Sequence, residues 1–256
     1  MNNYVGRLGA FCINLLSLVG KLSIFIGQIF RAIFSTQFYL KQLLNQFWKI
    51  GYNSLPVVGL TAIFTGAVLA LQSYTGFSRF NAESSIASVV VLSITRELGP
   101  VLAGLMLAGR VGASIAAEIG TMKVTEQIDA LYTLNTDPFK YLIVPRVLAG
   151  LITLPLLVLI ADIIGVMGGW AVSTYKLDFN SYSYLSNTLK YLEMLDITSG
   201  LIKATVFGLI VTVMGCYHGY NSQGGAQGVG QATTSAVVSA SILILLSNYI
   251  ITGILF

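Results

Sequence analysis

Two adjacent charged residues, Arg96 and Glu97, lie in an otherwise apolar stretch of the sequence, SITRELGPVL. A charged side chain at the centre of a membrane helix costs about 2.5 to 3.5 kcal/mol on insertion scales, so two together require partners or water. Because consecutive helical residues point about 100° apart, these side chains do not serve only each other. Two interpretations stay open. In the first, the Arg96 and Glu97 side chains each pair with a polar group on a neighbouring helix, such as Asp162 or Lys203. In the second, both side chains line a cavity for a substrate with a polar head.

Pro100 follows Arg96 by four residues. Proline has no backbone N–H, so the Arg96 carbonyl loses its helical partner and a kink is expected here. Irregular backbone is tolerated in a membrane where it faces protein or a wet cavity. The coincidence of the charged pair with the break therefore predicts a binding site at Arg96 and Glu97, with a plain packing kink as the alternative.

The sequence holds no arrangement typical of an enzyme or a metal site. Cys12 and Cys216 are its only cysteines, and neither has a partner at ligand spacing, which argues against a disulfide or a zinc site. The glycine-rich stretch GYNSQGGAQGVG is not a phosphate loop, because Gln231 and Ala232 replace the required Lys and Ser or Thr. The basic residues are spread singly, so nucleic acid is not an expected partner. We expect no catalytic residues, no metal and no cofactor bound by this chain.

Composition places these residues in a membrane. Hydrophobic residues make up 55% and charged residues 9% of the 256 residues, whereas an ordinary soluble domain is about 25% charged. At roughly 20 residues per span, there is room for about five or six spans and little else. The predicted fold class is an all-α integral membrane protein, with an N-terminal amphipathic interfacial helix, five transmembrane helices and a short cytoplasmic helix.

Five apolar runs predict the transmembrane helices of a domain over residues 51–256. They cover about 54–72, 86–109, 147–172, 201–217 and 235–256. In residues 1–50, polar residues recur every seven positions, at Arg7, Asn14, Lys21, Gln28 and Ser35. This spacing is typical of one stripe of an amphipathic helix, so an interfacial placement is predicted and a spanning helix is the alternative.

Small residues recur every four positions from the second apolar run onward. Such spacing lets two helix backbones approach closely, either within one chain or between copies. The series is Gly104, Ala108, Gly112, Ala116 and Gly120. It enters a polar island, Ala108 to Leu131, which is too rich in charge to lie in hydrocarbon.

The second half of the polar island predicts a helix over about 121–134. Val124, Ile128 and Leu131 fall on one helical face, and Glu126 and Asp129 fall on the other. A short helix with one apolar and one acidic face is suited to docking into a groove of a partner protein. A solvated connector lying on the membrane is the alternative.

Basic residues indicate the orientation in the membrane. With the N-terminal region in the cytoplasm, nine lie inside and four outside, in agreement with the positive-inside bias. The first group is Arg7, Lys21, Arg31, Lys41, Lys49, Arg110, Lys123, Lys140 and Arg146, and the second is Arg79, Lys176, Lys190 and Lys203. The polar island is then cytoplasmic, and the C-terminus lies on the outside.

The segment TRELGPVLAGLMLAGRVGASIAAEIGTMKVTEQIDAL, from Thr95 to Leu131, resembles the signature of the MlaE (YrbE) permease family. The stretches DPFKYLIVPRVLAG and HGYNSQGGAQGVG extend the similarity, from about Ser54 through the last helix. Members of this family are membrane subunits of Mce-associated ABC lipid transporters. The resemblance implies a homodimer that works with a cytoplasmic ABC ATPase, a periplasmic ring of MCE-domain subunits and often a small STAS-domain protein.

The resemblance also implies residue roles and a location. Arg96, Glu97 and Lys203 would line a phospholipid cavity near the dimer axis. The short cytoplasmic helix over about 121–134 would be a coupling helix that sits in the ATPase, where ATP and Mg²⁺ act, and the candidate contacts are Glu118, Lys123, Glu126 and Asp129. The complex would move phospholipid between the inner and outer membranes of a Gram-negative bacterium and maintain outer-membrane lipid asymmetry. The chain would be a multi-pass inner-membrane protein.

Two other functions stay open from the residues alone. One is an ion-coupled secondary transporter that binds a small charged solute at Arg96 and Glu97. The other is a non-transporting membrane scaffold that uses the charged pair only for packing. Five spans do not divide into the inverted halves common in secondary transporters, and no internal repeat is visible, which weakens the first alternative.

Overall fold

The computed structural model describes residues 2–34, 39–80 and 82–256, and these residues form helices joined by short turns. The α-helices are α1 Asn2–Ile33, α2 Leu40–Ile50, α3 Leu55–Phe77, α4 Ile86–Ser93, α5 Gly99–Leu107, α6 Ala113–Val124, α7 Gln127–Thr133, α8 Val144–Tyr175, α9 Ser181–Tyr191, α10 Met194–Tyr220 and α11 Gly225–Leu255. Helices α4, α5 and α6 follow one another as a single long rod.

Six helical stretches among the described residues are long and apolar enough to cross a membrane. They are Leu16–Ile33, Leu40–Phe80, Glu83–Val124, Phe139–Tyr175, Met194–Tyr220 and Gly225–Leu255. The prediction of an all-α integral membrane protein is therefore confirmed. Five of the stretches contain the five predicted runs, whereas Leu16–Ile33 belongs to the segment predicted to lie in the interface. That placement stays a prediction.

One face of the C-terminal half of α1 packs on the bundle. Phe25, Ile29 and Ala32, spaced by one helical turn, are buried. The Phe25 ring contacts the rings of Phe139, in the segment before α8, and of Tyr217 near the end of α10. Lys21 and Gln28 of the seven-residue stripe are exposed. Its other members, Ser35 and the side chains of Arg7 and Asn14, lie outside the described residues.

Helices α8 and α10 form the centre of the bundle. Helix α8 packs against α3 and α10, and α10 also packs against α6 and α11. Glycines allow the backbones to touch: a Cβ added at Gly208 of α10 would lie 2.3 Å from the carbonyl oxygen of Gly150 of α8. A Cβ added at Gly66 of α3 would lie 1.8 Å from the carbonyl oxygen of Gly165.

The predicted series of small residues packs inside the chain. An added Cβ at Gly104 would meet the Phe207 ring of α10 at 3.1 Å, and at Gly120 the Ser222 hydroxyl at 3.1 Å. Gly112 faces Val211 of α10, and Ala108 and Ala116 are fully buried. Of the two alternatives, the structure supports packing within one chain at these positions.

Three π-helical turns occur among the described helices, at Ile94–Leu98, Ala108–Gly112 and Phe139–Ile143. The first joins α4 to α5 and ends two residues before Pro100, and the Gly99 amide donates to the Ile94 carbonyl oxygen. Such turns contain one extra residue and recur at functional sites. The irregularity predicted at Pro100 therefore takes the form of a widened helical turn.

The two ends of the bundle carry different short helices. At the α7 end, the Tyr132 hydroxyl lies 3.0 Å from the Tyr220 hydroxyl at the end of α10. At the α9 end, α9 lies beside the turn that precedes α4. The helix predicted over 121–134 is divided, because Glu126 adopts the left-handed conformation, with φ of 60°, between α6 and α7.

Candidate functional site

Four ionisable side chains form a cluster, here called the charged cluster, between the first π turn, α10 and α11. They are Arg96, Glu97, Asp196 and Lys203. Lys203 and Asp196 are fully buried, whereas the side chains of Arg96 and Glu97 are 34% and 37% exposed. The cluster therefore has a buried half that fixes positions and an outer half that faces the surface of the chain.

Lys203 supplies the donor that Pro100 lacks. Its Nζ atom donates to the backbone carbonyl oxygen of Arg96 at 2.8 Å and to Glu97 Oε1 at 2.7 Å. An unpaired backbone carbonyl inside a membrane costs several kcal/mol, because no water is present to bind it. The buried lysine thus donates both to the carbonyl oxygen that Pro100 leaves without a helical partner and to the carboxylate beside it.

Helix α11 provides two further donors to Glu97. The Asn248 side-chain amide donates to Oε2 at 2.9 Å, and the Thr252 hydroxyl donates to Oε1 at 2.9 Å. Together with Lys203, these bonds join one carboxylate to two helices. A carboxylate with such donors is stabilised in its charged form, and its position is fixed.

Arg96 is held through only part of its guanidinium group. Its Nε atom donates to Asp196 Oδ1 at 2.5 Å, and its Cζ atom lies 4.4 Å from the centroid of the Phe256 ring. Asp196 also accepts a hydrogen bond from the Glu193 backbone at 3.0 Å, which fixes the start of α10. The two terminal nitrogens of Arg96 make no hydrogen bond with the described residues.

A guanidinium group with free terminal nitrogens can bind an oxyanion. The five donors of arginine match phosphate and carboxylate oxygens in a bidentate fork. Because Asp196 and Phe256 restrict the guanidinium plane, the free edge of Arg96 is oriented before any ligand arrives. The arrangement is therefore chemically suited to binding an oxyanion at the exposed side of the cluster.

The structure brings together Arg96, Glu97 and Lys203, which sequence reasoning selected, and adds partners that it missed. Asp196 lies seven residues before Lys203, so both are on one face of α10, and this spacing was an available signal. Asn248 and Thr252 gave no such signal, because their contact with Glu97 spans about 150 residues. Asp162, considered as a partner of the charged pair, contacts neither Arg96 nor Glu97 through a hydrogen bond or ion pair.

The residues predicted to contact an ATPase have different surroundings. Glu118 binds Lys49 of α2 and Arg146 of α8, each at 2.9 Å, so it joins three helices of this chain. Lys123 and Asp129 pair with each other at 3.1 Å. Glu126 is exposed and forms no ion pair with the described residues. Of the four, it is the one free to meet a partner.

A bundle of membrane-length helices with a partly exposed charged cluster at a helix break is typical of membrane proteins that bind a polar or charged substrate. The family model described as Permease MlaE matches residues 43–254. The chain belongs to the MlaE permease family and is a permease subunit of an ABC transporter. This assignment favours the transporter over the secondary-transporter and scaffold alternatives.

Several known proteins are similar in sequence to this chain over nearly its whole length. A probable ABC transporter permease protein of Rickettsia prowazekii is 66% identical over 238 residues, covering 93% of this chain and 92% of the relative. The intermembrane phospholipid transport system permease protein MlaE of Haemophilus influenzae is 35% identical over 257 residues, covering 99% and 98%. The chloroplastic protein TRIGALACTOSYLDIACYLGLYCEROL 1 of Arabidopsis thaliana is 36% identical over 236 residues, covering 92% and 67%.

Proposed function

We propose that this chain moves phospholipid between the inner and outer membranes of a Gram-negative cell and so maintains outer-membrane lipid asymmetry. The observation that carries the proposal is the free edge of Arg96, oriented by Asp196 and Phe256 at the exposed side of the charged cluster. The relative from Haemophilus influenzae is named for phospholipid transport. A phospholipid presents a phosphate that fits this edge, beside acyl chains that fit the apolar helices around it.

The lipid cavity is proposed to form at the axis of a homodimer. Arg96 and Glu97 are about one-third exposed in the single chain, so a second copy placed against this side would enclose them. Lys203 contributes by fixing Glu97 and the broken helix rather than by facing the lipid, because it is fully buried. Two symmetric clusters would then surround one shared space.

Energy for transport is proposed to come from a separate cytoplasmic ABC ATPase that binds ATP and Mg²⁺. The exposed Glu126 at the α7 end is the candidate contact. Movement there would pass through α6 to α5 and the π turn, since these elements form one rod. A periplasmic MCE-domain ring is proposed at the α9 end, and a STAS-domain protein is a further candidate partner. The chain then lies in the inner membrane, with α7 in the cytoplasm.

The test is the phospholipid that copurifies with the transporter, quantified by mass spectrometry. Replacing Arg96 by alanine removes the fork for the phosphate, so we expect at least a several-fold loss of bound phospholipid per dimer. Arg79→Ala is the matched control, because Arg79 is exposed and forms no ion pair among the described residues. Equal lipid retention in the wild type and Arg96→Ala, with intact dimers, would contradict the proposal.

A further inference from the structure

Asp162 is a buried carboxyl group near the middle of α8 that the charged cluster does not use. The residue is 8% exposed, and its Oδ1 atom is buried without a hydrogen-bond partner among the described residues. A Cβ added at Gly99 would lie 2.0 Å from this oxygen. The carboxyl group therefore occupies the space that glycine leaves at the start of α5.

The helices next to Asp162 offer no charge to balance it. Helices α3, α4 and α5 pack against α8 and contain no Asp, Glu, His, Lys or Arg. The narrow pocket beside Gly99 is lined by apolar side chains and by Thr61 and Thr65, whose hydroxyls donate to carbonyls of their own helix. No cation lies within 4.0 Å of the Asp162 carboxyl group among the described residues.

Charged groups on the other elements packed against α8 are engaged elsewhere or lie at its ends. On the π turn and α10, the four members of the charged cluster pair with one another, and His218 contacts Ser239 of α11. Toward the α7 end, Lys49 and Arg146 bind Glu118. The remaining cations with described side chains on these elements are Lys21, Arg31, Lys41, Lys140 and Lys190, and none of them pairs with Asp162.

A lone carboxylate in a low-dielectric interior takes up a proton rather than keeping its charge, since desolvating an unpaired ion is very costly. We propose that Asp162 is a proton-binding site inside the membrane and that it carries a proton in the described conformation, in which α5 lies against α8. The neutral acid fills the gap at Gly99 without leaving an uncompensated charge.

This site gives the transport cycle a link to pH, a step that rests on the proposed function. When α5 moves away from α8, water reaches the carboxyl group and the proton is released. The α5–α8 contact is thus favoured at low pH and weakened at high pH. Asp162→Asn keeps the shape of the protonated acid without a titratable proton, so it should remove this pH dependence.

The direct test is the infrared spectrum of the purified transporter, with its ATPase, in lipid nanodiscs at neutral pH. We expect the wild type to show a carboxylic acid carbonyl band that shifts to lower frequency in D₂O. The band should be absent in Asp162→Asn and retained in Asp178→Asn, the matched control at an exposed position. Asp162→Ala serves the same comparison if the asparagine variant does not assemble. A wild-type spectrum without this band would show that Asp162 is ionised and would overturn the proposal.

Thermal unfolding provides a second test that does not depend on lipid transport. An unfolded aspartate ionises above about pH 4, so a proton held only by the folded state makes folding less favourable as pH rises. The Tm of Asp162→Asn should therefore increasingly exceed that of the wild type between about pH 4 and pH 8, while Asp178→Asn follows the wild type. A wild type that is stabilised by Na⁺ or K⁺, when Asp162→Asn is not, would instead identify a cation site and refute the proton assignment. Both readouts stand even if phospholipid is not the substrate.

Discussion

Each charged residue at the helix break is held by a partner from a different part of the chain. The buried Lys203 and Asp196 on α10 are the fixed members, and they orient Glu97 and Arg96 on the π turn. The insertion cost of charge in a membrane was enough to select Arg96 and Glu97 from the sequence. It did not reveal Asn248 or Thr252, because neutral polar residues are common in membrane helices and carry little cost.

Lys203→Met should destabilise the folded protein. The change leaves the Arg96 carbonyl without its side-chain donor and Glu97 without its cationic partner, although Thr252 still donates to Glu97 Oε1. A buried polar group left unsatisfied costs about 1–3 kcal/mol. The measurement is the midpoint of thermal unfolding in detergent, followed by scanning fluorimetry. Lys176→Met is the control, since Lys176 is exposed beyond the end of α8. Similar midpoints for the two variants would show that the Lys203 contacts contribute little.

At the level of elements, apolar runs predicted the long helices well, because burial in lipid is a property of composition. The break at Glu126 was missed, since glutamate has no special preference for a positive φ, unlike glycine or asparagine. Helix α9 was also missed, although Asn180 caps it by accepting a hydrogen bond from the Ser183 amide at 3.1 Å. The asparagine could have indicated the start of a helix, but the polar composition of the segment favoured a loop.

Gly208→Ala should weaken the contact between α8 and α10. The new methyl group would lie 2.3 Å from the Gly150 carbonyl oxygen, a backbone atom that cannot move without displacing its helix. Overpacking of this kind costs about 1–3 kcal/mol. The unfolding midpoint should fall, whereas Gly253→Ala should not lower it, because an added Cβ at Gly253 meets nothing within 4 Å. An unchanged midpoint for Gly208→Ala would show that the two backbones lie farther apart.

At the scale of the whole assembly, Glu126→Lys tests the contact with the ATPase. Glu126 is exposed and outside any ion pair of the described residues, so reversing its charge should leave the fold intact while weakening a complementary partner surface. We expect reduced copurification of the ATPase and reduced coupled ATP hydrolysis, both measured on affinity-purified complexes. Glu83→Lys, exposed near the α9 end, is the control and should keep both. Full association of Glu126→Lys would remove this residue from the interface.

The first π turn also determines which side of α5 and α6 faces α10. Consecutive residues of an α-helix are separated by about 100° around the axis, so losing one residue between Ile94 and Leu98 would turn the rest of the rod by that angle. Gly104 would then no longer face Phe207, and Gly120 would no longer face Ser222. The extra residue that places Arg96 and Glu97 at the surface is the same one that aligns the rod with α10. Deleting one uncharged residue of this turn would therefore change both the exposure of Arg96 and Glu97 and the packing of the rod against α10, even though no charged side chain is removed.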